Sequence, residues 1–510
     1  MKTMFIPRWL GVAAMSGLLL ACANTGGVAP RSQLEFPALA NADMGAAVRA
    51  ADQGAAWPES TWWHAWQDPQ LNRLVDRAVA GHPDLRIAQA RLDQAEAQAR
   101  VAGAAGQLQG DLGSAIGHQR YPRYASPSPP GGHAVWSNSV GVNLAYDLDL
   151  WGRHRAATDA ALNAAQAAAA ERRAVQLALH TAVVRAYVQL ALQFELLDAA
   201  QALQAQAAKQ RNIAVERRRA GLGTELDVTR AEAQLAASAG EVEAVGRRTA
   251  LSRHQLAALT GQGPGGGNAI ERPTLQLAVP VNLPAHLPMG LLGHRPDIVA
   301  LRWQVESAAK GMDVAHAAFY PNVNLMGLLS LASTATFGGF LNFINDDAVG
   351  YRAGVAVSLP IFDGGRRQGQ YGQAVAGYDL AVEAYHKGVL AAMQQVADQV
   401  VSLGALAREE GHAAQARDQA ERAFALAERG YQAGITEYLD VLAAQSELNR
   451  QRQQVARLQS QRFEAWAQLM AALGGGMEEG EASAPTAGLA PAPSITDRQL
   501  PRAQEVPNAS

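Results

Sequence analysis

The chain contains two copies of one pattern, and the copies stay in register for almost their whole length. Pro83 and Asp84 return as Pro296 and Asp297, so the second copy lies 213 positions after the first, as position 296 does after position 83. The same separation joins Arg153 to Arg366, Gly221 to Gly434, Asp227 to Asp440 and Gly261 to Gly474. Solenoid units are much shorter, at about 20–50 residues. The sequence therefore predicts a duplicated half-protein that uses each structural element twice.

The N-terminal segment has the order of a bacterial lipoprotein signal. A positively charged start precedes an apolar stretch over residues 9–20, which is too short to cross a bilayer as a helix. The following Leu19-Leu20-Ala21-Cys22 resembles the lipobox, where signal peptidase cuts before a cysteine that carries diacylglycerol. Cys22 is the only cysteine, so the mature chain has no internal disulfide. We expect a lipid on Cys22; a fortuitous cysteine after an ordinary signal is the alternative.

Each half continues with a helix and then with a β-hairpin. Apolar residues three or four apart predict a helix over 70–106, broken at Gly81 and Pro83. Apolar and polar or small residues then alternate in four segments, about residues 108–116, 140–148, 323–331 and 351–361. Strands of about ten residues with one apolar face are typical of a membrane β-barrel. A two-sided soluble sheet is the alternative.

Two long stretches without proline follow the hairpins, over residues 131–263 and 361–484. Ala, Leu, Gln, Glu and Arg dominate them, and these are strong helix formers. Each stretch is broken once by a glycine turn, at residues 220–224 and 433–436. The pattern predicts two coiled-coil hairpins whose first helix is roughly 100 Å long at 1.5 Å per residue. No later run reaches about 18 uninterrupted apolar residues, so no transmembrane helix is predicted.

Four strands cannot close a membrane barrel, which needs at least about eight. An open edge in lipid would leave backbone groups without hydrogen-bond partners, so several copies must pool their strands. We therefore predict a mainly α fold with a membrane β-barrel. It has an internal duplication, long α-helical coiled-coil hairpins and four β-strands per chain, and a homotrimer forms a 12-strand barrel and a 12-helix tunnel.

The predicted domains follow from these elements. They are a signal peptide (1–21), an N-terminal tether (22–60), the first repeat (61–262), a linker (263–285), the second repeat (286–476) and a disordered tail (477–510). An aromatic cluster of Trp57, Trp62, Trp63 and Trp66 is expected to anchor the tether to the body.

This order of elements resembles the TolC-like outer membrane efflux channels and, within them, the NodT-type outer membrane factor lipoproteins. The resemblance covers about residues 60–476 and the lipobox. It is carried by Trp62-Trp63 with Asp68-Pro69, the two Pro-Asp pairs, and the segments 146–153, 359–366 and 431–442. It implies a lipid-anchored channel of the outer membrane with a periplasmic helical tunnel, a passive exit duct for small molecules. An inner-membrane pump, expected to be of the RND type, would drive it through a periplasmic adaptor protein.

Two alternatives to this function stay open at the level of sequence. One is a type I protein-secretion duct, and the other is a non-conducting periplasmic coiled-coil lipoprotein. The second does not need period-two segments about ten residues long, which the chain contains.

The resemblance places adaptor docking at the two glycine turns. Gly221 and Leu222 belong to the first turn, and Gly434 and Ile435 belong to the second. We expect glycine there because the turn needs a positive φ and leaves no room for a side chain. The alternative is that these are merely tight turns. The neighbouring basic run 217–219 is interpreted as a solvated helix face.

The periplasmic gate is expected just beyond the second turn. Leu439 and Asp440 match the family's apolar and carboxylate rings, whereas Ala443 stands where many relatives have a second carboxylate. Three copies of Asp440 around one axis would form a like-charge ring that favours cations. The alternative is that Asp440 caps the returning helix or pairs with a neighbouring Arg, a structural role that we expect for Asp227.

The sequence gives no indication of catalysis. The twelve histidines lack the spacing of metal ligands. The net charge of −3 gives no indication of nucleic-acid binding. The glycine-rich segment 263–267 contains Pro264 and is not followed by lysine, so it is no phosphate-binding loop. We predict no enzyme activity, no cofactor and no nucleic-acid partner.

Overall fold

The computed structural model describes residues 25–34, 43, 45–124, 131–275, 283–284, 291, 293–334 and 346–476. The predicted signal peptide, Cys22 and the predicted tail over 477–510 lie outside the described residues.

The two halves repeat three helices with unchanged lengths. The first half contains α1 (Ala46–Ala51), β1 (Asp52–Ala55), α2 (Pro69–Gly81), α3 (Pro83–Ala104), β2 (Gln109–Arg120), β3 (Ala134–Asp147), α4 (Arg153–Arg219) and α5 (Glu225–Leu259). The second half contains β4 (Leu283–Pro284), α6 (Pro296–Ala317), β5 (Asn322–Thr334), β6 (Val349–Ser358), α7 (Arg366–Gln432) and α8 (Tyr438–Ala472). Helices α3, α4 and α5 have 22, 67 and 35 residues, and so do α6, α7 and α8. The predicted duplication is confirmed.

One antiparallel sheet joins the two halves. Its strand order is β2-β3-β5-β6, so within this sheet the two repeats meet at the pairing of β3 with β5. Gly141 lies opposite Ser330 in this pair, and a Cβ on Gly141 would come within 2.9 Å of the Ser330 Cβ. The four strands have 12, 14, 13 and 10 residues, in agreement with the predicted hairpins. Among the described strands, β2 and β6 pair on one side only.

The hairpins α4–α5 and α7–α8 are the longest elements. By composition, α4 and α7 each contain an 18-residue window apolar enough to cross a membrane, although the sequence predicted no such helix. These windows are 44% and 33% buried inside the chain, because α4 packs against α3, α5, α6 and α8, and α7 packs against α6 and α8. Each helix is also about three times longer than the hydrocarbon core requires. We therefore assign the apolar windows to helix packing.

The main hydrophobic core lies near the middle of the long helices. Trp62, Trp63 and Trp66 form a 3₁₀ turn before α2 and are buried there, as is Trp466 of α8. The Trp466 ring lies 5.6 Å from that of Trp62 and 5.5 Å from that of Trp66, between centroids. Trp57 is not part of this ring cluster and stacks on His294, with 4.1 Å between ring centroids. The cluster confirms that Trp62, Trp63 and Trp66 anchor the N-terminal segment to the body.

Asp68 is a buried polar centre beside this core. It caps α2 by accepting hydrogen bonds from the backbone N–H groups of Gln70 and Leu71. Its Oδ2 accepts the Tyr187 hydroxyl at 2.8 Å and the Thr274 N–H at 2.9 Å, so one carboxylate joins α2, α4 and the segment between the repeats. Burial alone would raise the pKa of Asp68, but the bonds from Thr274, Tyr187 and α2 together hold it below its usual value.

We predict that Tyr187→Phe destabilises the fold by about 1–3 kcal/mol, because Asp68 stays buried with one donor fewer. Thermal denaturation of the purified protein measures the loss. Tyr124→Phe is the control, since Tyr124 lies beyond the end of β2 and is 100% exposed.

The lowered pKa of Asp68 determines how the stability of the fold should change with pH. The pKa of Asp68 is lower in the folded protein than in the unfolded chain, where it is near 4. Its contribution to the free energy of unfolding is therefore complete above the unfolded pKa and is lost as the pH falls through the folded pKa. The difference in melting temperature between wild type and Tyr187→Phe should therefore shrink only at acidic pH. Equal melting temperatures at neutral pH would contradict this role of Asp68.

Candidate functional site

The candidate site is the pair of helical turns at the ends of the two long hairpins. The first turn joins α4 to α5, and the second joins α7 to α8. Each turn is one 67-residue helix away from the sheet, or roughly 100 Å. A cleft of about 410 Å³ lies between the turns and is lined from both of them, by Leu222 and Asp227 on one side and Gly434, Ile435 and Leu439 on the other.

Both predicted turn glycines adopt the left-handed conformation. Gly221 has a φ of +73° and Gly434 a φ of +74°, as glycine does when it ends a helix. After Gly221, the Leu222 N–H donates to the Arg217 carbonyl at 2.8 Å. A Cβ on either glycine would meet no atom within 4 Å. The expectation that these turns have no room for side chains is therefore wrong within the chain, and only the positive φ favours glycine there.

The residues beside the glycines present apolar side chains to solvent. Leu222 is 71% exposed and Ile435 is 81% exposed. Both turns thus present apolar side chains that can be reached from outside the chain. Their assignment to adaptor docking stays a prediction.

Asp227 has the structural role predicted for it. Thr224 and Asp227 form a capping box at the start of α5: the Thr224 N–H donates to Asp227 Oδ2 at 2.9 Å, and the Asp227 N–H donates back to the Thr224 hydroxyl. The hydrogen bonds from the Thr224 backbone and hydroxyl lower the pKa of Asp227.

Asp440 has a similar contact in the second repeat. The Glu437 N–H donates to Asp440 Oδ2 at 3.1 Å, which is the cap considered as the alternative to a gate. The Asp440 side chain is nevertheless exposed, and the adjacent Leu439 is 51% exposed. Capping occupies one carboxylate oxygen and leaves the charge at the surface, so the two roles are compatible. The gate itself stays a prediction.

Three contacts between the hairpins were missed by the sequence interpretation. The Arg217 guanidinium lies 4.7 Å above the Tyr431 ring centroid, and the Tyr438 hydroxyl donates to Gln210 Oε1 at 3.3 Å. Tyr438 also packs against the small apolar cluster at the end of the first hairpin, Ala214, Val228 and Ala231. The run 217–219 is thus not wholly a solvated face, because Arg217 joins the two turns.

Tyr438 is partly buried at this contact, and its partner Gln210 is buried. Burial, with smaller effects of Tyr431 and Asp227, raises the pKa of Tyr438 to about 12. Its hydroxyl therefore stays protonated and able to donate at any physiological pH.

The structure gives no geometry for catalysis at this site. Within the part of the chain that is described, no group of three or more His, Cys, Asp or Glu side chains could hold a metal ion. The turns instead form a surface, with exposed apolar side chains, exposed carboxylates and contacts that hold the two hairpins together.

A chain of this architecture is a membrane channel component, with a sheet at one end and long helical hairpins extending from it. Both halves match the family model described as "Outer membrane efflux protein", at residues 74–262 and 287–475. The chain belongs to this family.

Individual relatives agree with this assignment. The chain is 44% identical over 372 residues to the fusaric acid resistance protein FusA of Burkholderia cepacia, covering 72% of this chain and 69% of that protein. It is 31% identical over 472 residues to the multidrug resistance outer membrane protein MdtP of Escherichia coli K12, covering 89% and 92%.

Solved structures show the same fold. The outer membrane protein VceC of Vibrio cholerae superposes with a TM-score of 0.77 at 35% identity, covering 83% of this chain and all of that one. The outer-membrane channel OprN gives a TM-score of 0.78 at 26% identity, covering 88% and 99%.

The family settles the coarse function. The protein is an outer membrane channel of an efflux system and is not an enzyme, so the predicted resemblance, fold class and function are confirmed. Channels of this family are trimers that work within efflux systems. The non-conducting spacer is excluded.

We predict that Asp440→Ala speeds hydrogen exchange of the Glu437 amide about fivefold, because an N-terminal cap contributes about 1 kcal/mol. Asp227→Ala is the matched change in the other repeat and should act in the same way on the Thr224 amide. Mass-spectrometric exchange on the purified channel resolves both turns. If the Glu437 amide exchanges at the wild-type rate in Asp440→Ala, the cap does not form in the assembled channel.

Proposed function

We propose that three copies of the chain form a passive exit duct for small molecules, which an inner-membrane pump of the RND type drives through a periplasmic adaptor protein. The observation that carries the proposal is a four-stranded sheet with two open edges, attached to two hairpins roughly 100 Å long. Sizing by light scattering tests it directly. A folded monomer in detergent would contradict it.

The open edges support the trimer. In the described sheet, β2 and β6 use only one side of their backbone for pairing. Lipid offers no partners for the other side, so a neighbour's β6 must pair with β2 around a closed ring. Three copies supply twelve strands, which lies within the range of membrane barrels. The attached hairpins then supply a tunnel of twelve helices.

The names of the relatives support small toxic molecules as cargo. FusA is a fusaric acid resistance protein and MdtP a multidrug resistance outer membrane protein. A type I protein-secretion duct stays the alternative. Restoration of drug efflux, but not of protein export, in a strain lacking its own channels would decide for the small-molecule duct.

Lipid on Cys22 would give the channel a second attachment to the outer membrane. We predict that Cys22→Ser abolishes labelling by radioactive palmitate and leaves an unprocessed precursor, since the sulfur is the attachment point. Fractionation and labelling of cells measure both effects. Undiminished labelling of the variant would mean that lipid is attached elsewhere.

The turns Gly221-Leu222 and Gly434-Ile435 are the proposed adaptor-docking surface. Their support is the exposure of Leu222 and Ile435 together with the open space beside both glycines. An exposed apolar turn at the end of the tunnel suits a groove between the helices of a partner protein.

We predict that Gly434→Trp abolishes efflux while the trimer persists. The bulky ring would block docking, and no atom of the chain lies within 4 Å of a Cβ at this position. Gly434→Asn separates the effects, because asparagine tolerates the positive φ and should retain efflux. Gly411→Trp, on an exposed and open part of α7, is the matched control. Normal efflux by Gly434→Trp would remove this turn from the docking surface.

Leu439 and Asp440 are the proposed constriction. Both side chains are exposed at the cleft end of α8, where a three-fold axis would collect them into rings. The contacts of Arg217 with Tyr431 and of Tyr438 with Gln210 hold the two turns together, so they would oppose an opening that separates the hairpins.

We predict that Asp440→Ala lowers cation selectivity and block by multivalent cations in planar bilayers, because it removes the charged ring. Leu439→Ser should raise basal conductance. Asp227→Ala is the control, since it removes a capping carboxylate from the other turn. With Ala443 at the second position, wild-type block should be weaker than in double-aspartate relatives. Unchanged ion selectivity of Asp440→Ala would mean that Asp440 only caps α8 and does not belong to the gate.

A further inference from the structure

The four strands of the sheet present two chemically different faces. Successive side chains of a strand point to opposite sides, so the strand register sorts them into two sets. On one face the large exposed side chains are apolar, among them Leu112, Ile116, Leu329, Val355 and Val357. The other face consists mostly of small or polar residues, among them Gly113, Gly117, Ser139, Ser330 and Gly354. In an outer membrane barrel the apolar face meets lipid and the other lines the lumen, so the two are called the lipid face and the lumen face.

The lipid face of β2 changes character toward the end of the strand. It carries, in order, Leu112, Ser114, Ile116, His118 and Arg120. The His118 ring lies against Trp136 of β3, with 4.8 Å between ring centroids. Arg120 is the last residue of β2, and it is exposed. Apolar side chains followed by an aromatic pair and then by a cation are the order expected where a protein surface leaves the hydrocarbon.

Arg120 lies at the membrane boundary farther from the helices. Both long helices join the opposite end of the sheet, because α4 follows β3 and α7 follows β6 after a few residues. The exposed rings of Trp151 and Phe362 mark the boundary at that end. From Gln109 to Arg120 the strand rises about 36 Å at about 3.3 Å per residue. At a tilt of about 45° this is roughly 25 Å along the membrane normal, which is the height of the apolar band of a membrane barrel.

The end of this hairpin is basic. The sequence over residues 112–146 contains Arg120 and Arg123 but neither aspartate nor glutamate. The stem of Arg123 lies over Gly132, where a Cβ would be 3.6 Å from Arg123 Cγ. Arg120, Arg123 and His133 line a cleft of about 490 Å³. Among the ion pairs of the described residues none involves Arg120 or Arg123, which are called the arginine pair below.

The equivalent hairpin of the second repeat has the opposite charge. Residues 323–351 contain Asp346 and Asp347 but neither lysine nor arginine. Since both hairpins form the same kind of strand pair, the fold itself does not require a charge of either sign. In a closed ring, Asp347 of the next copy would lie at the same end of the barrel and could compete for the arginine pair. The alternation along β2 favours lipid instead, because it turns Arg120 to the lipid face.

We propose that the arginine pair binds the phosphate groups of a glycolipid in the outer leaflet of the outer membrane. A guanidinium offers two parallel N–H donors that match the oxygens of a phosphate. The rings of His118 and Trp136 lie one step deeper, at the level where head group and acyl chains meet. The proposal rests on the function proposed above, which puts the helical hairpins in the periplasm and this end of the sheet at the cell surface.

Binding of bisphosphorylated lipid A to the purified, delipidated trimer tests the proposal. Arg120→Gln/Arg123→Gln should weaken binding at least about tenfold, because the variant loses hydrogen bonds between charged groups. Arg352→Gln is the matched control, since it removes an exposed arginine from the lumen face of β6 and should bind as wild type does. Native mass spectrometry counts the bound lipid and reports the trimer in the same spectrum. Equal affinity of wild type and the arginine-pair variant would overturn the proposal.

Two further ligands separate a lipid site from a site for free anions. Lipid A without its phosphates should bind at least about tenfold more weakly than the bisphosphorylated form. Inorganic phosphate should not displace the lipid; if it does so at equal concentration, the cleft is a site for free anions and the proposal fails.

Asp347→Asn tests the competing contact between copies. This variant should leave both lipid binding and the melting temperature of the trimer unchanged. If it lowers the melting temperature as much as Arg120→Gln/Arg123→Gln does, while neither variant changes lipid binding, the arginine pair belongs to an ion pair between copies.

Labelling of intact cells tests the orientation separately. A large polyethylene-glycol maleimide that cannot cross the outer membrane should label Tyr124→Cys, because Tyr124 is 100% exposed beside the site. It should label Leu222→Cys at the helical turn only after the outer membrane is made permeable, with wild type as the blank. The reverse pattern would overturn the proposed function together with the outer-leaflet site. The expected labelling combined with failed lipid binding would overturn the glycolipid site alone.

Discussion

The structure depends on the hydrogen-bonding needs of backbone groups at the edges of one sheet. Strands β2 and β6 end the described sheet, and water cannot satisfy their outer N–H and C=O groups inside a bilayer. Closure with neighbouring copies meets that need. The closed ring then fixes where each helical hairpin starts, because α4 and α7 follow β3 and β6 after a few residues. The site at the far turns is thus positioned by pairing roughly 100 Å away.

Over that distance the helices need a rigid connection, which packing in the middle of the molecule supplies. The tryptophan cluster and Asp68 tie α2, α4, α8 and the segment between the repeats into one body. Elsewhere, small side chains let the long helices lie close together; Ala200 with Val245 and Ala214 with Val228 are examples. The aromatic cluster is therefore located where the N-terminal helices must be held. The smaller clusters along the hairpins consist of alanine, valine and leucine, with Tyr438 beside the turns.

The predictable part of the molecule was the part with local signals. Gly81 and Pro83 mark the break between α2 and α3, and Gly221 and Gly434 mark the turns, because each acts on its own backbone. Strand periodicity gave the sheet for the same reason. The pairing of β1 with β4 was missed, since it joins short segments about 230 residues apart in a region without periodicity.

The missed contacts of the candidate site have the same cause. Nothing near Arg217 in the sequence indicates that Tyr431 lies beneath its guanidinium, and nothing near Tyr438 points to Gln210. Such contacts depend on how two elements from distant parts of the chain are aligned along the long helices, which is the height meant here. Only the assembled structure sets that height.

The equal lengths of the repeated helices have a consequence for how such a chain can change over generations. Helices α4 and α7 both have 67 residues, and α5 and α8 both have 35, so the two turns of each copy end level with one another. A one-turn insertion in only one helical hairpin would raise one turn by about 5 Å above its neighbour and leave a notched rim. Changes in length are therefore tolerated only in matched pairs, one in each half. Matched lengths thus account for an offset that stays constant, at 213 residues, through both helical hairpins.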